Sequence, residues 1–216
     1  MIKLSIVTIT LNNEETIEQT IKSVLNQNYT NLEYIVIDGG STDGTLKIID
    51  KYKDKLKYFK SSPDKGIYDA MNKGIDQASG DFIGFVNGGD YIYENTLNNI
   101  NEVFSKQKSN FFFSVADIDY VDKYNNIVGR KICRSTEQII KRKYLEMPTN
   151  HLGMFVPLEV LKKYGLFDIR FKNRADFFLF LKLIKGGYTP LNLKKTIGAF
   201  RLGGISGGYS TFFENY

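Results

Sequence analysis

Glu33-Tyr34-Ile35-Val36-Ile37-Asp38-Gly39-Gly40-Ser41-Thr42-Asp43-Gly44-Thr45 is the stretch that decides the fold. An almost unbroken apolar run of this length, closed by turn-forming residues, is the pattern of a strand buried on both faces. The Gly-Gly-Ser-Thr-Asp-Gly cluster supplies the turn and the capping side chains of a helix predicted over about 45–52. The same alternation extends in both directions. Upstream, residues 3–10 form a β-rich run ending in Leu11-Asn12-Asn13-Glu14, after which Ile17, Ile21, Val24 and Leu25 share one helical face. Downstream, residues 57–60 read as a strand, and residues 66–78 set Ile67, Ala70, Met71, Gly74, Ile75 and Ala78 at helical spacing. Residues 81–86 read as a further strand, stopped by Asn87-Gly88-Gly89-Asp90. Strand and helix thus alternate through the first ninety residues. That order predicts an α/β fold of three layers, α/β/α, around a mostly parallel central sheet.

The second half is less regular. It predicts helices over about 95–106, 136–144, 158–164 and 175–185, a strand at Phe111-Phe112-Phe113-Ser114-Val115, and a hairpin turn over 122–126 before Ile127-Val128. With no repeat and no low-complexity linker, the 216 residues read as one domain, divided into halves of about 1–92 and 93–207. A composition of 42% hydrophobic and 25% charged residues is ordinary for a globular chain. Cys133 is the only cysteine, which excludes an intrachain disulfide framework and a multi-cysteine zinc site and suits a reducing compartment. No apolar run approaches the roughly 20 residues of a membrane-spanning helix, and the N-terminus lacks a signal-peptide pattern. The expected location is therefore cytoplasmic.

Lys and Arg total 29 against 24 Asp and Glu, a formal charge of +5, and the excess is uneven. From Arg130 to Lys143 six Lys/Arg stand against Glu137 alone, and no acid lies between Phe177 and Phe213. Such a basic half suits phosphates or an anionic bilayer surface; the plainer alternative is a solvated face. No nucleic-acid recognition motif accompanies it.

In open parallel sheets, ligands bind beyond the carboxyl ends of the strands, and there the polar residues gather: Thr8, Thr10 and Asn12, then Asp38, then Asp90. Asp38 and Asp43 also fit simple turn and cap roles. A dinucleotide-binding fold would set an acid where Asp38 stands, but no glycine follows the first strand until Gly39, so no G-x-G-x-x-G opens the first helix. A phosphate-binding P-loop is excluded by the absence of Gly-Lys-Ser/Thr.

Four ordered segments carry a family resemblance: Ser5 to Asn12, Ser23-Val24-Leu25-Asn26-Gln27, Tyr34 to Thr45, and Ser62-Pro63-Asp64-Lys65-Gly66-Ile67-Tyr68-Asp69-Ala70-Met71-Asn72-Lys73-Gly74. With Gly80 to Asp90 and the later His151-Leu152-Gly153-Met154-Phe155, Gly165-Leu166-Phe167-Asp168, Ala175-Asp176-Phe177 and Gly203-Gly204-Ile205-Ser206, they resemble the inverting family 2 glycosyltransferases of the GT-A fold. The 62–74 segment is similar to the version in enzymes of bacterial surface-polysaccharide synthesis.

The resemblance implies a Rossmann-like N-terminal half that binds a nucleotide-sugar donor and a second half that binds a saccharide or lipid-linked acceptor. It sets Thr8, Thr10 and Asp38 at the base and ribose, with Gly39 and Ser41 beside them, and Asp64, Lys65, Asp69 and Asn72 on the far side of the nucleotide and donor sugar. Asn87, Gly88, Gly89 and Asp90 stand at the family's DXD metal motif, where Asp90 would hold Mg²⁺ or Mn²⁺. Asp176 stands as general base, while Asp117, His151 and Arg174 fall near donor sugar or acceptor, with His151 also a candidate for the metal's neighbourhood. The implied reaction is transfer of a hexosyl or N-acetylhexosaminyl group, with UDP-sugar the leading donor by family frequency. Many relatives have an acid where Gly39 stands, and often another at Gly89. These two departures leave a non-catalytic nucleotide-sugar-binding protein as the alternative. Peripheral contact with the inner face of a membrane is expected through the 130–143 segment. The ending, Tyr209 to Tyr216, is short for the family, so a further C-terminal helix is expected to be missing or dispensable.

Overall fold

The computed structural model describes residues 1–107, 112–164 and 167–203. In chain order the elements are β1 (Leu4–Thr10), α1 (Ile17–Leu25), β2 (Leu32–Asp38), α2 (Thr45–Asp50), β3 (Tyr58–Ser61), α3 (Ile67–Gln77), β4 (Phe82–Phe85) and β5 (Tyr91–Ile92). They continue with α4 (Thr96–Ser105), β6 (Phe112–Val121), β7 (Ile127–Lys131), α5 (Thr136–Lys141), β8 (Phe155–Pro157), α6 (Leu158–Tyr164), α7 (Ala175–Lys185) and β9 (Thr189–Arg201).

Five strands form the main sheet in the order β3-β2-β1-β4-β8. The first four are mutually parallel, and β8 closes the edge antiparallel to β4. Every residue of β1 is buried, as a strand covered on both faces requires. Alternation then sorts its side chains. Leu4 and Ile6, with Tyr34 and Val36, pack against Ile17, Ile21 and Val24 of α1 in one apolar cluster. Val7 and Ile9, with Ile35 and Ile37, join Met71 and Ile75 of α3 in the other, which also takes in α6 and α7. The sheet is thus the middle of the three layers.

The parallel register sets Thr10 beside Asp38 and Asp38 beside Ser61, so the loops leaving β1, β2 and β3 share one edge. The opposite edge is locked by Glu33, whose buried carboxylate accepts from Ser5 Oγ (2.8 Å), Ser79 N (2.7 Å) and Ser79 Oγ (2.7 Å) and pairs with Lys3 (2.9 Å).

Two expectations are corrected, and one strand was not foreseen. The strand read as ending at Val115 runs on to Val121, and it belongs to a second, four-stranded sheet ordered β5-β9-β6-β7. The thirteen-residue β9, unforeseen in the sequence, lies parallel to β6, with register shifts along the pair. The helix read over 136–144 ends at Lys141. Gly165-Leu166, Gly204-Ile205-Ser206 and Tyr209 to Tyr216 lie outside the described residues, and among those described no helix is long and apolar enough to cross a membrane.

Candidate active site

The β1 and β2 ends are zipped together by side chains. Asn12 N donates to Ser41 Oγ (2.8 Å), Thr42 N to Asn12 Oδ1 (2.8 Å), Asn13 N to Thr45 Oγ1 (2.8 Å) and Gly44 N to Glu14 Oε2 (2.6 Å). Asp38 organises the turn from inside. Fully buried, its Oδ2 accepts from Gly40 N, Ser41 N and Ser61 Oγ at 2.9, 2.9 and 2.6 Å, and its Oδ1 from Ser41 Oγ at 2.5 Å. Gly39 N donates to Thr10 O at 2.9 Å. Thr8 is buried on the α1 side, its hydroxyl donating to Val86 O (2.7 Å) and sharing a hydrogen bond with Tyr34 Oη (2.9 Å). Thr10 Oγ1 donates to Asn13 Oδ1 (2.9 Å). Thr8 and Asp38 therefore shape the carboxyl edge of the sheet from within the protein.

The loop after β4 brings Asn87, Gly88, Gly89 and Asp90 to the same edge, since Gly88 N donates to Ile9 O at 2.8 Å. Gly89 adopts φ 102, a left-handed conformation that favours glycine over an acid at this position. Its amide donates to Thr20 Oγ1 (3.1 Å), and that hydroxyl donates to Asp90 O (2.6 Å), tying the loop to α1. Asp90 is buried; its Oδ1 accepts from Arg201 N (3.0 Å), and its Oδ2 lies 3.3 Å from His151 Nε2. Burial raises its pKa above the usual aspartate value, opposed by His151 and by the Arg201 amide. His151, in a short 3₁₀ turn before β8, also lies 2.8 Å from Asn87 Nδ2. Asn87 Oδ1 is buried without a hydrogen-bond partner among the described residues.

That orphaned oxygen tests whether the residues suit a divalent metal. Asn87 Nδ2 and Asp90 Oδ2 both lie against His151 Nε2, so an amide, a carboxylate and an imidazole meet here, and the unpaired Asn87 acceptor is a group a hard cation would satisfy. The donor set fits Mg²⁺ or Mn²⁺. Among the described residues no three His, Cys, Asp or Glu side chains form a metal cluster, so Asn87 would have to contribute, with diphosphate oxygens and water completing the shell.

A third group lies between α3 and the 167–176 segment. Asn72 clasps the Phe167 backbone both ways, Nδ2 to Phe167 O (2.8 Å) and Phe167 N to Oδ1 (2.9 Å). Ala175 N donates to Tyr68 Oη (3.0 Å). Asp176 sits in the first turn of α7, where the helix dipole favours a carboxylate, and its Oδ1 accepts from Phe177 N (3.0 Å). Burial, and then the neighbouring Asp176 charge, push the Tyr68 phenol up to about 12, so it stays protonated beside that carboxylate. Arg174, exposed with φ 68, caps the start of α7.

Asp64 Oδ1 accepts from Gly66 N (2.8 Å), and Asp69 Oδ2 accepts from Lys65 N (3.0 Å) and pairs with Lys73 (3.1 Å). The Lys65 amide and then Lys73 hold the Asp69 carboxyl below its usual range. Asp117 points elsewhere, its Oδ1 accepting from Cys133 N (2.7 Å).

Arg201 is the residue that sequence reasoning missed as part of the site. Its Nε donates to Gly89 O (3.1 Å), and its other nitrogens to Asp122 O (2.9 Å), Gln19 Oε1 (3.0 Å) and Asn125 Oδ1 (2.6 Å). Thr20 and Tyr68 were missed likewise, because both lie on helical faces that read as core.

Comparison with known proteins places the chain among sugar transferases. The sequence model described as "Glycosyl transferase family 2" matches residues 5–165. The chain is 29% identical over 185 residues, 84% of its own length and 70% of the relative's, to the UDP-Glc:alpha-D-GlcNAc-diphosphoundecaprenol beta-1,3-glucosyltransferase WfgD of Escherichia coli. A Mycobacterium tuberculosis protein named as an uncharacterized glycosyltransferase is 42% identical over 88 residues, 40% of this chain, and the match spans only 34% of that relative's length. Among solved structures, S. aureus TarS (residues 1–349) in complex with UDP is similar at TM-score 0.74 and 24% identity, covering 93% of this chain and 61% of that 1–349 chain. The Pyrobaculum calidifontis mannosyltransferase PcManGT, in complex with GDP-Man and Mn²⁺, is similar at TM-score 0.70 and 16% identity, covering 98% of this chain and 59% of that one. Both structural likenesses are of fold.

Proposed function

Because the chain belongs to glycosyl transferase family 2, we propose that it catalyses inverting transfer of a hexose or N-acetylhexosamine from a nucleoside-diphosphate sugar, UDP the preferred carrier, to a lipid-linked saccharide at a membrane's cytoplasmic face. The observation that carries this reading is the Asn87–Asp90–His151 cluster at the carboxyl edge of the parallel sheet, with the Asn87 oxygen buried and unpaired among the described residues. The preference for UDP and for a diphospholipid-borne acceptor draws on the name of the Escherichia coli relative.

Three tasks divide among the residues. The β1 and β2 edge, with Thr10, Gly39, Ser41 and Asp64, receives the base and ribose, while Thr8 and Asp38 keep that edge rigid from beneath. Lys65, Asp69 and Asn72 border the donor sugar. Asp90, with Asn87 and His151, would hold Mg²⁺ or Mn²⁺, which when bound supplies positive charge against the departing diphosphate. Gly88 lets that loop pass close to Thr10 and Asn13, Gly89 supplies its left-handed turn, and their backbone would border the diphosphate.

Asp176 takes the proton of the acceptor hydroxyl as its oxygen attacks the anomeric carbon and the bond to the diphosphate breaks, with inversion. An aspartate ionised in solution can do this because the hydroxyl becomes acidic only as the new bond forms. Arg174, beside it and exposed, contacts the acceptor, and Asp117 lies further along the acceptor half.

Replacement Asp176→Asn tests the assignment. Transfer should fall by about 10²-fold or more, while UDP affinity by calorimetry stays within about twofold of wild type. Transfer at the wild-type rate would overturn the role of Asp176. Undetectable transfer by the wild type, with UDP still bound, would favour the non-catalytic alternative that Gly39 and Gly89 suggest.

A further inference from the structure

Seven of the eleven exposed large apolar side chains among the described residues fall between positions 124 and 145, including Ile132 (67% exposed), Tyr144 (74%) and Leu145 (73%). Isolated exposed apolar residues are ordinary, but a concentration of them marks a contact surface. Residues 123–146 also carry seven Lys/Arg against Glu137 and Glu146, a surplus equal to the +5 of the whole chain. Glu137 pairs with Lys141 at 2.7 Å, and Glu146 with Arg134 at 2.6 Å and Arg142 at 2.8 Å. The Glu146–Arg134 bond ties the segment after α5, which carries Tyr144 and Leu145, back to the stretch between β7 and α5. Arg130, Ile132, Arg134, Gln138 and Glu146 surround one open cavity of about 430 Å³, which makes β7, α5 and the 146–148 segment a continuous surface. Lys123 and Lys143 lie over the rings of Tyr124 and Tyr144 at 4.9 and 5.0 Å.

We propose that this surface docks on an anionic lipid bilayer, with Ile132, Tyr144 and Leu145 entering the headgroup layer and Lys131, Lys141 and Lys143 meeting lipid phosphates. The inference deepens the functional reading and rests on it for an acceptor held in a membrane. Exposed aliphatic and tyrosine side chains interleaved with lysines are the chemistry of a bilayer interface, where the ring or stem sits among acyl chains and the charge stays in water. The sign of the charge selects the partner. A two-fold pairing with a second copy would set this positive face against itself, which costs energy, whereas phosphatidylglycerol-type headgroups neutralise it.

The test is co-sedimentation of the full chain with large vesicles of phosphatidylcholine, alone or with about a third phosphatidylglycerol, alongside calorimetry with UDP. Binding is expected only to the anionic vesicles and should weaken as salt rises. Lys131→Glu with Lys143→Glu should lower vesicle affinity about tenfold or more, and Ile132→Ser with Leu145→Ser by a similar factor. Both pairs should leave UDP affinity unchanged. Because the two pairs act through different chemistry, either one decides if the other misfolds. No binding of wild type to anionic vesicles, or wild-type binding by both folded variants, would overturn the proposal. A concentration-dependent dimer that the same variants dissolve would assign the surface to a second copy and overturn it too. Failure of wild type to bind UDP would count against the donor reading alone and leave the vesicle result standing.

Discussion

A Cβ added at Gly39 would lie 2.5 Å from Asp64 Oδ2 and 3.3 Å from its Cγ. The space that a side chain at 39 would fill is therefore occupied by a carboxylate from the loop after β3. Gly39→Ala must turn the end of the Asp64 side chain aside, which strains the bond its other oxygen accepts from the Gly66 amide, so it should cost about 1 kcal/mol. In an Asp64→Ala background the obstruction is gone, and the same change should cost less than about 0.5 kcal/mol. Urea midpoints of the four proteins measure the difference; additive costs would mean that the two residues do not compete for one space. Residue identity at the strand ends was legible in the sequence, because Asp-Gly-Gly-Ser and Asn-Gly-Gly-Asp are turn chemistry wherever they occur. Orientation was harder to read. Thr8 follows the two-residue period of β1 and so faces α1 with Ile6, where Tyr34 and Val86 use its hydroxyl. Asp38 shows the turn reading in full, with both oxygens engaged by its own loop and Ser61. His151 could be named from its uniqueness, but its approach to Asp90 depends on a 3₁₀ turn that no periodicity announces.

β9 links the site to the second sheet, since its last residue, Arg201, spans the β4–β5 loop, α1 and the β6–β7 turn with one guanidinium. A planar group with five donors is suited to such bridging, and lysine, a point donor, is not. Arg201→Lys should lose most of these bonds while the backbone bond from residue 201 to Asp90 persists. The expected cost is about 1–2 kcal/mol, read as a lower urea midpoint, with faster amide exchange at Gly89 and Asp90. Unchanged exchange there would show that the loop holds itself. The strand went unread because Lys194 and Lys195 interrupt its alternation, and Lys194 takes φ 52, which bends the chain off the β pattern. β5 and β8, with two and three residues, are too short to display any period. By contrast β1, β2 and β4 were plain, because a parallel strand covered on both faces must be apolar at nearly every position. Burial on two sides writes itself into sequence; pairing at a sheet edge mostly does not.

Across the whole molecule the two edges of the main sheet divide the work. The carboxyl edge gathers the candidate site, and the amino edge carries the lock around Glu33, which joins β1, β2 and the turn before β4. Burial alone would raise the Glu33 pKa, but the Ser79 hydroxyl and amide, Lys3 and Ser5 outweigh it and hold the carboxyl at about 2, against an ordinary value of 4.5. A depressed folded-state pKa contributes stability that is complete above the unfolded value and is lost as pH falls toward the folded one. The window for this group is therefore about pH 4.5 to 2, and the shift corresponds to about 3 kcal/mol. Glu33→Gln removes the titration and turns one acceptor into a donor facing Ser79 or Lys3, so it should cost about 2–4 kcal/mol at neutral pH. Denaturant unfolding at steps from pH 5 to pH 2 would compare the two proteins. Wild type should lose about 3 kcal/mol more than Glu33→Gln over that range, so their stabilities converge in acid. Curves that stay parallel would mean that Glu33 titrates alike in the folded and unfolded chains, and that the amino edge is held by its apolar contacts alone.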